Sequence, residues 1–99
     1  MKTLTERFEE FHANNPHVYE LFKQFAQEAI SVGRDHLSAE MLVHRIRWES
    51  VIKTVTRDYK INNNYAAFYG RLFARDFPEH RYFFRTRRSV ADATLTVAA

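Results

Sequence analysis

Apolar side chains recur every three or four residues along much of the chain, a spacing that predicts helices with one buried side. The strongest such run extends from Pro16 to about Val32 and stops at Gly33, a residue type that commonly ends helices. We expect a helix here, with Asn15 as its cap and Pro16 in its first turn. Its apolar positions at helical spacing are Val18, Leu21, Phe22, Phe25, Ala29 and Ile30.

A shorter helix is predicted before it, from about Thr5 to Ala13. Phe8 and Phe11 lie three residues apart, which places both on one side of such a helix. The Asn-Asn-Pro sequence at residues 14–16 then interrupts the helical pattern.

A third helix is predicted from Ala39 to about Thr54, with Ser38 as its N-cap. Trp48 lies off the apolar stripe of this helix. The stripe, which we expect to face the core, comprises Leu42, Val43, Ile46 and Ile52. The residues that follow, up to about Asn62, mix charged and β-branched types without a helical period, which indicates a turn or a short extended piece.

The fourth helix is predicted in INNNYAAFYGRLF, residues 61–73, with Asn62 or Asn63 as its cap. It should end near Phe77, because Pro78 disfavours a helical conformation in the preceding residue. The side facing the core comprises Tyr65, Phe68, Tyr69, Leu72 and Phe73. The outer side comprises Asn63, Asn64, Ala67, Gly70, Arg71, Ala74 and Arg75.

Beyond this helix, HRYFFRTRR at residues 80–88 is a candidate strand, in which alternation would place Phe83 and Phe84 on opposite sides. Residues 90–99 form a nearly uncharged tail that we expect to be disordered. We therefore predict a mainly α fold of four helices with a short C-terminal strand or hairpin, in one domain over residues 1–89. This order of elements is typical of a winged helix-turn-helix domain, although the connection before the fourth helix is longer than in a tight helix-turn-helix.

Composition narrows the class of protein. With 99 residues, of which 45% are hydrophobic, the chain can form one domain with a modest core. The absence of cysteine excludes disulfides and thiolate nucleophiles and fits a reducing compartment. The charged start and the lack of a long apolar run predict a soluble cytoplasmic protein that makes no membrane contact.

Charge is distributed unevenly, which favours a polyanionic partner for the second half of the chain. Residues 1–37 carry four basic and six acidic side chains, whereas residues 38–99 carry eleven basic and six acidic ones. In a DNA major groove, asparagine pairs with adenine and arginine with guanine, and the amino end of a recognition helix enters the groove. The candidate readers of duplex DNA on the fourth helix are Asn63, Asn64, Arg71 and Arg75. The alternative is that these asparagines are helix caps and these arginines are solubilising charges.

The arginine-rich stretch after Pro78 supplies further candidates for nucleic-acid contact. Guanidinium groups bind phosphates in bidentate fashion, and Tyr82 or Phe83 would stack on exposed bases, which keeps RNA and single-stranded DNA open as partners. The phosphate-binding candidates are Arg81, Arg85, Arg87 and Arg88. The alternative is an edge strand whose arginines deter aggregation.

Catalytic motifs are missing from the sequence. Two glycines cannot build a phosphate-cradling loop, and the five histidines show no HExxH spacing. Glu40 and His44 lie four residues apart on the third helix, but such pairs are more often surface contacts than metal or acid–base sites. We predict a protein that is not an enzyme and uses no metal or cofactor.

A protein-binding surface is the second hypothesis, and the segment HRIRWE at residues 44–49 supports it. Tryptophan and arginine are the residue types that most often dominate interface energy, so Arg45, Arg47 and Trp48 are candidate anchors. The alternative, which we favour for Trp48 itself, is a buried indole whose N–H donates to a backbone carbonyl. The oligomeric state stays open.

Four stretches carry a resemblance to a known family: NPHVYELF, HRIRWE, INNNYAAFYGRLF and PEHRYFFRTRR. Over about three quarters of its length the chain resembles a family of small, largely uncharacterised proteins encoded by bacteriophages, prophages and other bacterial mobile elements. The resemblance implies a phage setting in a bacterial host cell and carries over no functional residues. It fits a DNA-binding protein, and equally an anti-CRISPR-like inhibitor or modulator of a host nucleic-acid enzyme or defence system.

Overall fold

Four α-helices account for most of the chain that the computed structural model describes, which is residues 1–53 and 61–84. They are α1 (Leu4–Asn14), α2 (Pro16–Ser31), α3 (Ala39–Lys53) and α4 (Tyr65–Asp76), and a 3-10 turn (Pro78–His80) follows. Within these ranges there is no sheet, and an isolated bridge joins Leu37 to Phe84. The prediction of a mainly α fold with four helices is confirmed.

Helix α1 starts one residue earlier than predicted because Thr3 and Glu6 form a capping box. The Thr3 hydroxyl accepts a hydrogen bond from the Glu6 backbone N–H at 3.1 Å. The Glu6 carboxylate accepts one from the Thr3 backbone N–H, also at 3.1 Å. Two backbone donors that the first turn leaves unpaired are thereby satisfied.

Helix α2 begins at Pro16, as predicted, but Asn15 does not cap it with its side chain. The Asn15 amide donates instead to the Phe11 carbonyl at 3.0 Å, so it closes the end of α1. At the other end, Gly33 has a φ of 95°, a left-handed conformation that glycine adopts without steric cost. The Arg34 N–H then bonds back to the Ala29 carbonyl at 3.1 Å, which terminates the helix as the sequence predicts.

Helix α4 lies against α2, α3 and the 3-10 turn, and all five of its predicted inward residues are buried. Its ring contacts reach three parts of the chain. Phe8 of α1 stacks on Phe68 with ring centroids 4.7 Å apart. Phe22 of α2 lies 5.5 Å from Tyr69, and Phe84 after the 3-10 turn lies 5.4 Å from Phe73. A turn precedes the helix, and Asn64 occupies its N-cap position. In this turn the Asn62 side-chain oxygen accepts a hydrogen bond from the Asn64 backbone N–H at 2.9 Å.

Helix α3 departs from the predicted pattern at two positions. Leu42, Val43 and Ile46 are buried as expected, but Ile52 is 61% exposed. Six residues of helix correspond to about 1.7 turns, so Ile52 points about 120° away from Ile46 and cannot share its side. Trp48 is 66% exposed, so the expectation of a buried indole is wrong.

The first residues of the predicted strand, His80–Phe84, do not form one. Arg81 and Tyr82 lie in a turn after the 3-10 segment. Phe83 and Phe84 are both buried, whereas an extended strand would send them to opposite sides. The Phe83 carbonyl accepts from the Leu37 N–H at 2.9 Å, which fastens this turn to the residues before α3.

Some predictions lie outside the described residues. They are the end of the third helix at Thr54, the remainder of the predicted strand, the domain boundary at residue 89 and the tail at 90–99. None of the described helices combines the length and the apolar character that a membrane crossing requires.

Candidate functional site

Helix α3 carries apolar side chains on two opposite sides. The inner side packs against α2 and α4 and comprises Ala39, Leu42, Val43 and Ile46. The other side carries Met41, Trp48, Val51 and Ile52, whose exposed fractions are 57, 66, 58 and 61%. We refer to these four residues together with Arg45 as the outer face of α3. A helix needs only one apolar side to join a core, so the outer face contributes little to folding.

The members of the outer face are neighbours in space because of their spacing along the helix. Met41, Trp48 and Ile52 are separated by seven and four residues, which is about two turns and one turn. Single exposed apolar residues are ordinary on protein surfaces, but a continuous group of them is typical of an interaction site. The outer face is such a group.

Arg45 lies in the middle of the outer face and is held there by two residues of α2. Its guanidinium carbon is 4.0 Å from the centroid of the Phe25 ring, a cation–π contact. Its Nη1 donates to the Glu28 carboxylate at 3.2 Å. The arginine is therefore oriented before any partner arrives, and its charge is balanced within the chain.

Arg47, the third candidate anchor, does not belong to the outer face. Its guanidinium donates to the backbone carbonyl of Ile61 and approaches the His44 ring nitrogen Nδ1 at 3.4 Å. It links α3 to the residues that precede α4. The structure thus brings Arg45 and Trp48 together and assigns Arg47 a structural contact.

An apolar groove of about 190 Å³ runs between α2 and α3 beside the outer face. Its apolar lining comprises Phe25, Ala29, Val32, Leu37, Met41 and Leu42, with Glu28 and Arg45 at its polar edge. Met41 and Arg45 belong to both the groove and the outer face. The two therefore form one continuous surface, extended at its far end by Val32, which is 76% exposed.

The candidate DNA-reading residues of α4 are not presented on one open side. Asn63 and Asn64 are exposed in the turn before the helix, whereas Arg71 is half-buried. Arg75 is exposed but its Nε donates to the Asp76 carboxylate at 3.0 Å. Gly70, expected on the outer side, is buried against Ala39 and Phe84, so this part of the prediction is wrong.

The remaining candidates for phosphate contact lie at the end of the described chain or beyond it. Arg81 is exposed, with its guanidinium carbon 4.8 Å from the Tyr82 ring centroid. Arg85, Arg87 and Arg88 fall outside the described residues. Residues 1–53 and 61–84 contain ten basic and ten acidic residues, so the net charge of +3 belongs to segments 54–60 and 85–99.

A second polar group lies where α2 meets the end of α4. Tyr19 donates to the Asp76 carboxylate at 2.6 Å, and burial together with this bond raises the pKa of Tyr19. Burial alone would raise the pKa of Asp76, but the hydrogen bonds from Tyr19 and Arg75 outweigh it and lower that pKa. An ionised Asp76 therefore joins the two helices, and Tyr19 stays protonated.

His12 of α1 lies beside this group, among aromatic rings. It stacks on Phe8 and meets Tyr19 and Tyr69 edge to face. Burial lowers the pKa of His12, and the nearby Arg75 lowers it further. Burial likewise raises the pKa of Tyr69, so both rings are neutral near pH 7.

Within the described parts of the chain, no three His, Asp or Glu side chains come together as a group that could hold a metal ion. Glu40 and His44, the candidate pair on α3, are both exposed. The sequence analysis missed Met41, Val51 and Ile52 as members of the outer face. The signal that would have revealed Met41 and Ile52 is the spacing of residues 41, 45, 48 and 52, which repeats every three or four positions on the side opposite the core.

Comparisons with known proteins add no relative: no family model matches the chain, and neither a curated protein nor a solved structure matches it. The resemblance to phage-encoded proteins stays a prediction. The geometry of the chain itself is what supports the functional conclusion.

Proposed function

We propose that the chain is a protein-binding module that docks another protein on the outer face of α3. The observation that carries this proposal is Trp48, a large apolar side chain that lies exposed among other apolar residues on a side of α3 that the core does not use. The resemblance to phage proteins suggests the setting, an anti-CRISPR-like inhibitor or modulator of a host nucleic-acid enzyme or defence system.

Interface physics supports this choice of surface. Tryptophan and arginine are enriched among the residues that dominate binding energy. The outer face carries both, since Arg45 and Trp48 lie three residues apart on the same side of α3. Arg45 is already fixed by Phe25 and Glu28, so a partner would not need to order it on binding. The adjoining groove between α2 and α3 would accept an apolar side chain from that partner.

The test is affinity capture from a bacterial lysate with three baits: wild type, Trp48→Glu and Tyr82→Glu. Tyr82 is a matched control because it is another exposed aromatic residue, 77% exposed, on the turn after α4. Each captured protein is then purified and titrated against the same three baits. We expect Trp48→Glu to weaken binding at least about thirtyfold, the loss associated with an interface hot spot of about 2 kcal/mol.

The Tyr82 control distinguishes binding through the outer face from non-specific binding to any exposed aromatic side chain. Tyr82→Glu should bind as wild type does, because Tyr82 belongs neither to the outer face nor to the lining of the adjoining groove. Partners that bind all three baits equally well would contradict the proposal.

Duplex DNA binding is a second candidate function, through a winged-helix-like arrangement of the fourth helix and the arginine-rich segment. The observation that favours it is charge: the whole positive excess lies in segments 54–60 and 85–99, which directly flank residues 61–84. Asn63 and Asn64, both exposed, lie at the edge of one of these segments. Basic segments of this kind bind phosphates independently of base sequence.

Titration of duplex DNA, single-stranded DNA and RNA across a salt series tests this candidate. If α4 reads bases, Arg71→Ala should cost about 1–3 kcal/mol on a preferred duplex, while Arg88→Ala should weaken all duplexes alike and reduce the salt slope by about 1. Circular dichroism must first show that Arg71→Ala remains folded, because this residue is half-buried. A Kd above about 10⁻⁴ M for every nucleic acid at low salt would eliminate the candidate.

A further inference from the structure

Helix α1 buries fewer side chains than α2, α3 or α4, and aromatic rings hold it in place. Phe8 is its single buried residue, with Leu4 and Phe11 partly buried beside it. Phe8 stacks on Phe68, and the Phe11 ring lies 5.4 Å from that of Tyr65. Elements with few buried apolar contacts are the ones that open locally while the remainder of a protein stays folded.

His12 completes this set of rings one turn after Phe8. Its ring centroid lies 5.7 Å from that of Phe8, on which it stacks. It meets Tyr19 of α2 and Tyr69 of α4 edge to face, at 5.6 and 6.2 Å. The His12 Nδ1 atom is buried and has no hydrogen-bond partner among the described residues. Because both nitrogens of a charged imidazole carry a proton, Nδ1 would become an unpaired cationic donor on protonation.

The charges around His12 do not compensate for a proton on its ring. Burial lowers the pKa of His12 most, and the positive charges of Arg75 on α4 and Lys23 on α2 lower it further. Asp76 of α4 acts in the opposite direction. Its carboxylate already accepts hydrogen bonds from Tyr19 at 2.6 Å and from Arg75 at 3.0 Å. An imidazolium at this position therefore faces two cations and one carboxylate that is already engaged.

We propose that His12 is a pH switch for α1: when its ring takes up a proton, α1 separates from α2 and α4, which stay packed against each other. Separation gives water to both nitrogens of the imidazolium and removes it from the two cations. It also uncovers the α4 rings that Phe8 contacts, which are Tyr65, Phe68 and Tyr69. Acid would thus expose a second apolar surface, distinct from the outer face of α3.

Hydrogen exchange of the full-length chain, with short labelling pulses and mass spectrometry of peptides from each helix, tests the switch. Protection factors corrected for intrinsic exchange rates should fall in α1 between pH 7 and pH 5 and hold in α2 and α4. The released histidine binds its proton more tightly than the packed one, so acid favours opening. The fall can reach about thirtyfold at pH 5, the ceiling for a histidine whose pKa returns to about 6.5 on release.

The chosen pH range avoids the other titrating group that supports α1. Hydrogen bonding with Thr3 holds the pKa of the Glu6 carboxyl below its ordinary value. Its contribution to stability is lost only as the pH falls through that lowered pKa, which lies below the range of the experiment. The capping box of α1 therefore stays intact from pH 7 to pH 5.

His12→Phe is the matched variant, since phenylalanine keeps an aromatic ring beside Phe8 and cannot take up a proton. His12→Gln, which is polar and likewise uncharged, is the second variant should His12→Phe fold poorly. In either variant the protection of α1 should no longer depend on pH in this range.

Three results would overturn the switch. The first is equal protection of α1 at pH 7 and pH 5 in the wild type. The second is a fall that persists in the His12 variants. The third is a fall of the same size in α2 and α4, because acid would then unfold the whole chain. The experiment needs no partner, so its result is independent of the docking proposal.

Discussion

Helices α3 and α4 are adjacent in the core and similar in length, yet they divide their side chains in different ways. Seven of the twelve residues of α4 are buried, and its few exposed side chains are polar. Helix α3 buries one apolar side and exposes another, which carries Trp48, Val51 and Ile52. Both helices are rich in apolar residues, but only α4 buries nearly all of its apolar side chains in the core.

The difference identifies where function is expected. On α4 the core side extends over more than half of the helix, because α3, the Phe84 turn and α1 pack around it. On α3 a second apolar side remains after the core is complete. The exposed apolar group around Trp48 takes no part in the core, which is why we propose this side of α3 as an interaction surface.

The largest contrast should come from removing one aromatic ring on each helix. Phe68 is 1% exposed and stacks on Phe8. Phe68→Ala should lower the free energy of unfolding by about 3–5 kcal/mol, the usual cost of a cavity left by a large aromatic side chain. Urea denaturation measures this loss. A loss below about 1 kcal/mol would show that α4 is not central to the core.

Much of this fold is predictable from the sequence, for physical reasons that differ between elements. The limits of α2 follow from Pro16 and Gly33, residue types with narrow or unusual backbone preferences. The core side of α4 follows from a single strong stripe of aromatics. In contrast, α3 has two stripes at helical spacing, and only tertiary packing decides which of them is buried.

The partial burial of His12 among aromatic rings should make stability depend on pH. His12 has a lowered pKa in the folded chain, so the unfolded chain binds its proton first as the pH falls below about 6.5. Stability should therefore decrease on acidification from pH 7 to pH 5. His12→Gln should flatten this slope. Equal slopes for wild type and His12→Gln, by denaturation at several pH values, would refute the assignment.

A smaller change in stability is expected at Gly70. Substitutions of different size show whether this position of α4 is buried or open. A Cβ at this position would lie 3.5 Å from the Phe84 Cβ and 3.7 Å from the Ala39 Cβ, which are ordinary contact distances. Gly70→Ala should thus stabilise the protein by up to about 1 kcal/mol through helix propensity. Gly70→Leu should instead destabilise it by about 1–3 kcal/mol through overpacking. If thermal melts found Gly70→Leu harmless, α4 would have the open outer side that its sequence suggests.

The smallest effect is expected at the counterpart of Phe68 on α3. Trp48→Ala should change the free energy of unfolding by no more than about 0.5 kcal/mol, as is usual for exposed positions, despite the loss of the largest side chain in the protein. The same denaturation experiment measures it. A loss comparable with that of Phe68→Ala would mean that Trp48 belongs to the core.

The candidate site was less predictable than the fold. Arg45 and Trp48 stand out in the sequence by residue type, but the role of Arg47 depends on the Ile61 carbonyl, which lies fourteen residues away. The burial of both Phe83 and Phe84 likewise depends on a turn after Pro78 rather than on local alternation. Contacts of this range follow from the assembled helices and leave no periodic signal in the sequence.

Quenching of Trp48 fluorescence by acrylamide in a dilute solution of the full-length chain tests the central claim most directly. Trp48 is exposed in the part of the chain that the structure describes, residues 1–53 and 61–84. Its emission should therefore resemble that of a water-exposed indole, and acrylamide should quench it almost as efficiently as it quenches free tryptophan. Adding a docking partner should then protect it. Blue-shifted, poorly quenched emission in the dilute monomer would contradict the claim, because it would show that the fold itself covers Trp48.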